Sequence, residues 1–362
     1  MGNMIILQDS PNTDSKSGGN PYSRDISELF QSGVILVNKP RGPTSHQLAS
    51  WARNLLGIKK LGHGGTLDPF ATGVLTLLCG RATRLTDIVL AGEKRYVGVM
   101  RFSEEVNEHK VITSLSSLVG RSYNVPPKES AVKVRVRSRI FNSIQVLDFD
   151  SKSRIVVVEI DCEAGTYIRT LARDLGLMVG SNCELIELHR TKAGTFDSSM
   201  ACTMQQLTDA LHVFREHGDE RGLRRIICPI ERLLTHLPKV VIKDGAAAAL
   251  SHGATLARPG IVKASAGTKA GSTVLIETLK GEAVSIAELT VDSDALPEID
   301  SGEIAINIAG AKGKKLKGIL HPGTFSMLGV GVSFALSAKN HNPDSNVVLI
   351  SGDGAFLSGG MS

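Results

Sequence analysis

Aromatic residues make up only 4% of this 362-residue chain, and its five cysteines include no Cys-x-x-Cys pair. So few rings argue against a surface that holds single-stranded nucleic acid mainly by stacking. Cys79, Cys162, Cys183, Cys202 and Cys228 are isolated and odd in number, which sets aside both a disulfide framework and a structural zinc site. The ten histidines are scattered too, so no metal-binding cluster emerges from spacing. No apolar run approaches the roughly 20 residues of a membrane helix, and the N-terminus lacks a basic-then-apolar leader. These absences point to a soluble cytoplasmic protein with no membrane partner. What is present suits that class: hydrophobic content is 42% and charged content 21%. The length allows about two domains with real cores.

A net charge of +5 is common and says little about partners, but its distribution says more. In residues 131–140, AVKVRVRSRI, Lys133, Arg135, Arg137 and Arg139 share one parity. Val132, Val134, Val136 and Ile140 share the other. Period two predicts a strand with one apolar and one basic face. Four like charges along ~20 Å of strand repel one another and call for an anion. A nucleic-acid backbone would supply it; a plain solvated outer face is the alternative. Lys39, Arg41, Lys59, Lys60, Arg81, Arg84, Lys94 and Arg95 add basic positions around a glycine-rich segment.

That segment is residues 62–75, GHGGTLDPFATGVL, whose one carboxylate is Asp68. Its glycines let the chain turn tightly and let a ligand approach the backbone. Pro69 fixes its own φ and biases Asp68 toward an extended conformation. On spacing alone Asp68 is either a helix cap followed by proline at the first helical position or a site carboxylate. Around it, residues 33–40 read as a short buried strand ended by Pro40. Residues 44–57 read as a helix from Thr44 to Gly57, and TYIRTLARDLGLMVG as a helix ended by Gly180. Residues 73–80, 94–102, 140–149 and 154–162 read as strands.

Strands and helices mixed without a regular βαβ rhythm predict an α+β fold. Residues 1–30 are polar and read as a loosely held arm. Residues 31–234 form the main mixed-sheet domain. Short Val/Ile-rich segments between glycine turns at 235–315 predict a small β-barrel domain, and 318–362 form a separate tail.

Six motifs, in order, resemble the TruB/dyskerin class of RNA pseudouridine synthases over about residues 22–310. GVILVNKPRGPTSH resembles the opening motif and GHGGTLDPFATGVL the catalytic one. KRYVG, PPKESAVKVRVRSR, CEAGTYIRTLARDLG and ELHRTKAGTF follow. HLPKVVIKDGAAAALSHGATLARPGI is similar to the start of a PUA domain, a small RNA-binding barrel. The resemblance implies that Asp68 is the catalytic aspartate, paired with Arg169, and that Tyr96, Tyr167 and Leu188 share its pocket. It implies that the basic strand faces RNA, with Lys39 and Arg41 nearby, and that His63 contacts the displaced nucleotide. Read as residues alone, Tyr96 and Tyr167 are equally core aromatics, Arg169 a helix-surface residue and His63 a satisfied loop histidine.

The implied reaction breaks a C–N glycosidic bond and rejoins the ring through carbon, with Asp68 as nucleophile or electrostatic stabiliser. A uridine in folded RNA must be extruded to reach such a pocket. No metal or organic cofactor is implied. The substrates implied are the T-loop uridine of tRNA or ribosomal RNA. For the latter, the chain would be the catalytic subunit of an H/ACA guide-RNA particle with small accessory proteins. The SAVKVRVRSR wording and PUA-like region are similar to the archaeal and eukaryotic branch, and the absence of a lysine-rich nuclear tail to the archaeal part of it.

Two features depart from the pattern, and one segment has no clear role. His189 stands where the family has arginine. Residues 101–113, RFSEEVNEHKVIT, are the segment without a role. After about residue 318 the chain resembles thiamine-diphosphate-dependent enzymes instead, with Gly352-Asp353-Gly354 as the motif whose aspartate binds magnesium there. The asparagine that completes that metal site is missing, because the sequence stops at Ser362. A fusion or gene-assembly accident is the expected origin of this tail, with a repurposed appendage or coincidence as the others. Two rival readings remain: a non-catalytic RNA-binding subunit with an idle pocket, and a thiamine enzyme.

Overall fold

The computed structural model of the chain describes residues 3–125 and 135–307, arranged on two sheets. The chain begins with β1 (Met4–Ile6), α1 (Ile26–Ser32), β2 (Gly33–Lys39), α2 (Ser45–Leu56), β3 (Leu61–Gly64) and β4 (Thr72–Cys79). It continues through α3 (Thr86–Ala91), β5 (Lys94–Phe102), α4 (Glu108–Ser117), β6 (Gly120–Asn124), β7 (Arg137–Asp150) and β8 (Ile155–Cys162). Next come α5 (Ile168–Val179), β9 (Cys183–Ala193), β10 (Phe196–Asp197), α6 (Met204–His217), α7 (Arg221–Ile226) and β11 (Ile227–Pro229). The second domain contains β12 (Lys239–Ile242), α8 (Asp244–Ser251), β13 (Leu256–Ala257), β14 (Ile261–Ser265), β15 (Thr273–Thr278), β16 (Ala283–Leu289) and β17 (Glu303–Asn307).

The larger sheet has the order β11-β2-β4-β9-β5-β8-β7-β6, with β3 beside β4 and β10 beside β9. It is mixed, as an α+β fold requires: β4 and β9 run parallel while the neighbouring pairs are antiparallel. The β4–β9 pairing is short, Thr72 with His189 and Gly73 with Arg190. The two half-sheets therefore join at a narrow seam just after Asp68. Gly73 at φ +105° is required there, since a Cβ would fall 2.3 Å from the Arg190 carbonyl oxygen.

Each half-sheet buries its own core. On the β2–β4 side, Leu48, Ala52 and Leu56 of α2 pack with Leu207 and Leu211 of α6 against Ile35, Val37, Leu75 and Leu77. On the β5–β8 side, α4 and α5 cover Met100, Val156, Val158 and Ile160, whose alternation along β8 is the period-two pattern of a half-buried strand. α2 starts where Thr44 accepts from the Gln47 amide and ends at left-handed Gly57; α5 ends at left-handed Gly180. The segment without a sequence role finishes β5 and begins α4, which buries Val111 and Leu115 in this core.

Two expectations need correction. Among the described residues of the basic stretch, strand begins at Arg137, and it continues to Asp150 through the segment expected as a separate one. Its partner β6 pairs Asn124 with Arg137 and goes no further, so Arg135 and Val136 lie outside the ladder. Val136 is 67% exposed instead of lining an apolar face. Lys133 lies outside the described residues.

The first thirty residues are also not a loose arm. β1 pairs with β14, Met4 opposite Ser265 and Ile6 opposite Lys263, and covers an edge that would otherwise present unpaired backbone groups. Asp244 accepts from the Thr13 hydroxyl and the Asp14 amide, at 2.9 and 2.8 Å. Lys280 Nζ donates to the carbonyls of Asp14, Ser17 and Gly18.

The smaller sheet has the order β1-β14-β12-β15-β16-β17-β13, around a core that includes Val240, Ile242, Val274, Ile276 and Leu289. It meets the larger domain through an apolar seam in which Leu275 joins Leu36, Val74, Leu233 and Leu234. Beside that seam Arg24 donates to both oxygens of Glu231 at 2.8 Å, and Glu231 Oε1 also accepts from the Ala283 amide at 3.0 Å. Among the described residues no helix is long and apolar enough to cross a membrane. The expected C-terminal tail lies outside them.

Candidate active site

Asp68 does not cap a helix. Its carbonyl accepts from the Ala71 amide at 3.0 Å, which closes a tight turn over Pro69 and Phe70. The turn is anchored from α2, where the Ser45 hydroxyl accepts from the Leu67 amide at 2.8 Å and donates to the Leu67 carbonyl at 3.1 Å. The Asp68 side chain instead meets Arg169 at two points, Nε to Oδ2 at 3.0 Å and Nη2 donating to Oδ1 at 3.1 Å. One charge-assisted hydrogen bond from Nη2, with Nε at ion-pair distance from the other oxygen, orients the carboxylate as well as balancing its charge. The side chains are 34% and 28% exposed, so the pair is both held and reachable.

Arg169 sits in the first turn of α5. The turn is set by buried Asn124, whose side chain accepts from the Tyr167 amide at 2.9 Å and donates to its carbonyl at 3.1 Å. Tyr167, half-buried, is the residue capping that helix. Thus Asp68 and Arg169 are brought together across about a hundred residues of chain, with Tyr167 at the start of the helix that carries Arg169.

Tyr96 and Leu188 are buried in the β5–β9 wall, at 8% and 7% exposure. Burial pushes the Tyr96 phenol above its ordinary range, and the neighbouring Arg190 guanidinium works the other way. The register places Arg190 directly opposite Tyr96. Arg190 is 1% exposed, and its guanidinium donates to the carbonyls of Val74 at 2.8 Å and Gly65 at 3.1 Å. Arg190 thereby ties the glycine-rich turn to the seam, with Gly65 at φ +97° presenting its carbonyl. The sequence reading missed this residue. Its signal was parity: on a strand, residue 190 shares a face with buried residue 188.

Lys39, expected to face RNA, is instead fully buried. Its ammonium donates to the carbonyls of Pro40 at 2.9 Å, Pro69 at 3.2 Å and Ala71 at 2.8 Å. Burial lowers its pKa, while Asp68 nearby acts to raise it. Lys94 is a third such cation, donating to the carbonyls of Val89 and Gly92, and burial lowers it to about 8. A charge that leaves water needs partners, and here backbone carbonyls supply them.

Arg41 is exposed and lines both cavities of the cleft. The larger, about 500 Å³, is bounded by Arg41, Phe70, Arg169, Leu185 and Ile186. The smaller, about 190 Å³, is bounded by Arg41, Phe70, Thr72, Leu188 and His189. His189 Nδ1 lies 2.8 Å from the Thr72 hydroxyl, and burial lowers its pKa. His63 is half-buried on β3; burial, His46 and Arg190 all lower it. Arg137 is exposed, whereas Arg139 is half-buried, donates to the Ser138 carbonyl and lies 3.9 Å from Glu163. The described part of the basic face is therefore divided between exposed and engaged arginines. No group of three or more His, Cys, Asp or Glu side chains is placed to hold a metal among the described residues.

Residues 53–168 match the N-terminal domain of TruB family pseudouridylate synthases, and 169–235 the tRNA pseudouridylate synthase B C-terminal domain. The "Probable tRNA pseudouridine synthase B" of Methanocaldococcus jannaschii is 41% identical over 304 residues, 84% of this chain and 90% of that one. This chain belongs to the TruB family. It is accordingly an isomerase that makes pseudouridine in RNA. A second TruB relative, from Pyrococcus horikoshii, is 40% identical over 84% of this chain and 91% of its own. The crystal structure of a Cbf5-Nop10-Gar1 complex aligns with a TM-score of 0.79 at 38% identity, covering 85% of this chain and 94% of that one. An H/ACA RNP bound to a substrate RNA containing 2′-deoxyuridine aligns at 0.78 and 37%, covering 84% and 93%.

Beyond the catalytic domain, residues 238–310 match the PUA domain and 2–49 the DKCLD domain. The N-terminal residues thus belong to a recognised unit, in keeping with their pairing to β14. Residues 300–362 match the C-terminal TPP-binding domain of thiamine pyrophosphate enzymes, overlapping the PUA span. Gly352-Asp353-Gly354 falls in the part of that match outside the described residues.

Proposed function

We propose that this chain isomerises uridine as the catalytic subunit of a cytoplasmic guide-RNA particle of the H/ACA kind, and that it also accepts the T-loop uridine of tRNA. The observation that carries the site assignment is the two-point Asp68–Arg169 contact at the edge of the cleft. Arg169 holds the carboxylate at the sugar and base of an extruded uridine. The C1′–N1 bond breaks, the freed ring turns, and C1′ joins C5. The C5 proton leaves and N1 gains one, so the atoms balance with no second substrate. Asp68 acts as nucleophile or electrostatic stabiliser, and buried Tyr96 and Leu188 form the pocket wall. Tyr167 faces the base, and exposed Arg41, Arg135 and Arg137 contact phosphates. The support for both substrates is that relatives carry the tRNA name while aligned structures are a Cbf5-Nop10-Gar1 complex and an H/ACA RNP bound to a substrate RNA.

Tritium release from 5-tritiated uridine separates the two substrates. The test compares bare tRNA transcript with a particle reconstituted from guide RNA and small accessory proteins. Release from both is expected, faster in the particle for guided targets. Release from tRNA alone would remove the particle from the proposal.

A further inference from the structure

Two turn tips meet at the mouth of the cleft. The Gly42 amide donates to the Pro69 carbonyl at 2.8 Å, and Lys39 bridges the same two segments from beneath. Each tip carries one large side chain, Arg41 on the first and Phe70 on the second. Both stand in the wall of both cavities, so they mark the boundary between the space beside Arg169 and the space beside Leu188. Phe70 packs one side on the catalytic-domain core yet remains half-buried, in a chain where rings are scarce. The larger space is within the roughly 300–1,000 Å³ range of small-ligand pockets. A ring held at a cavity boundary, with an exposed arginine in the same walls, offers an RNA strand a stacking surface and a phosphate contact together.

We propose that Phe70 and Arg41 form a positioning platform on which the base next to the reacting uridine stacks, while Arg41 holds the phosphate between the two nucleotides. Consecutive nucleotides then occupy the two cavities, with Phe70 as the divider. The inference rests on the reading of this chain as an RNA pseudouridine synthase with Asp68 at its centre. It assigns a role to a residue two positions from Asp68 that does not touch the reacting atoms.

The test uses the full chain with an unmodified, 5-tritiated tRNA transcript. It reads equilibrium binding at several salt concentrations, KM and kcat separately, and melting temperature. Phe70→Leu is expected to raise Kd and KM together, on the order of ten-fold, with kcat and melting temperature kept. Phe70→Tyr is expected to restore wild-type Kd, since the ring is what matters. Arg41→Gln is expected to weaken binding and lower the salt slope by about one. Wild-type Kd and KM in Phe70→Leu would overturn the platform. So would a fall in kcat and melting temperature with KM unchanged, which marks a structural role, and so would failure of the wild-type chain to bind the transcript. Absence of tritium release from wild-type protein would instead sink the enzymatic reading, while the Kd comparison would still decide the platform.

Discussion

The buried cations under the cleft and the exposed arginines at the start of β7 carry the same charge and have opposite physical situations. Lys39, Lys94 and Arg190 are out of water and are satisfied by backbone carbonyls of the segments that shape the site. Arg135 and Arg137 are exposed to water, with no side-chain partner among the described residues. The first group acts on geometry, through loops it ties together; the second is free to meet phosphate. Basic residues near a nucleic-acid enzyme's site are therefore not one population, and burial sorts them.

The largest expected contrast comes from Arg190→Met. It strands the Val74 and Gly65 carbonyls without their donor and should cost about 4 kcal/mol in urea unfolding. A loss below about 1 kcal/mol would mean that this guanidinium does not hold the seam. Lys94 gives a pH-dependent version of the same test. Its folded pKa of about 8 lies below the ordinary 10.5, so between those values the unfolded chain binds more protons and stability rises with pH. Measured as wild type against Lys94→Met, the shift in favour of wild type should be at most about 3 kcal/mol, and below pH 8 the difference should be flat. A difference that moves the other way would contradict the assignment of a destabilising buried charge.

Lys39→Met should cost about 2 kcal/mol and lower kcat, with the salt dependence of tRNA binding unchanged. A reduced salt slope would return Lys39 to the RNA-contacting group. The smallest expected effect is Arg137→Gln: stability within about 0.5 kcal/mol of wild type, and a salt slope lower by about one. Equal slopes would show that this end of β7 does not meet phosphate.

The same division explains what could be read from sequence. α2 and α5 were legible because their boundaries are local chemistry: Thr44 with Gln47 at one start, Gly57 and Gly180 at the ends. The strands at 94–102 and 154–162 were legible from alternation. The motif order singled out Asp68 for the proposed chemistry, and the contact with Arg169 that the resemblance implied is present. Lys39 and Arg190 were misjudged or missed because a basic side chain is ordinarily exposed, and only tertiary structure supplies the carbonyls that allow burial. The basic strand was half right, since alternation sets a strand's faces but not where its partner ends, here at Asn124. The N-terminal pairing was hidden for a related reason: three apolar residues, Met4–Ile6, find their partner about 260 residues away.

In the proposed function, isomerisation depends on the Asp68 carboxylate held by Arg169. The most direct measurement is tritium release from 5-tritiated uridine in RNA by Asp68→Asn, with RNA affinity determined on the same preparation. Release should fall to background with affinity kept, since the substitution removes the carboxylate and leaves the exposed Arg41, Arg135 and Arg137 in place. Release at the wild-type rate would contradict the account and move the chemistry away from Asp68.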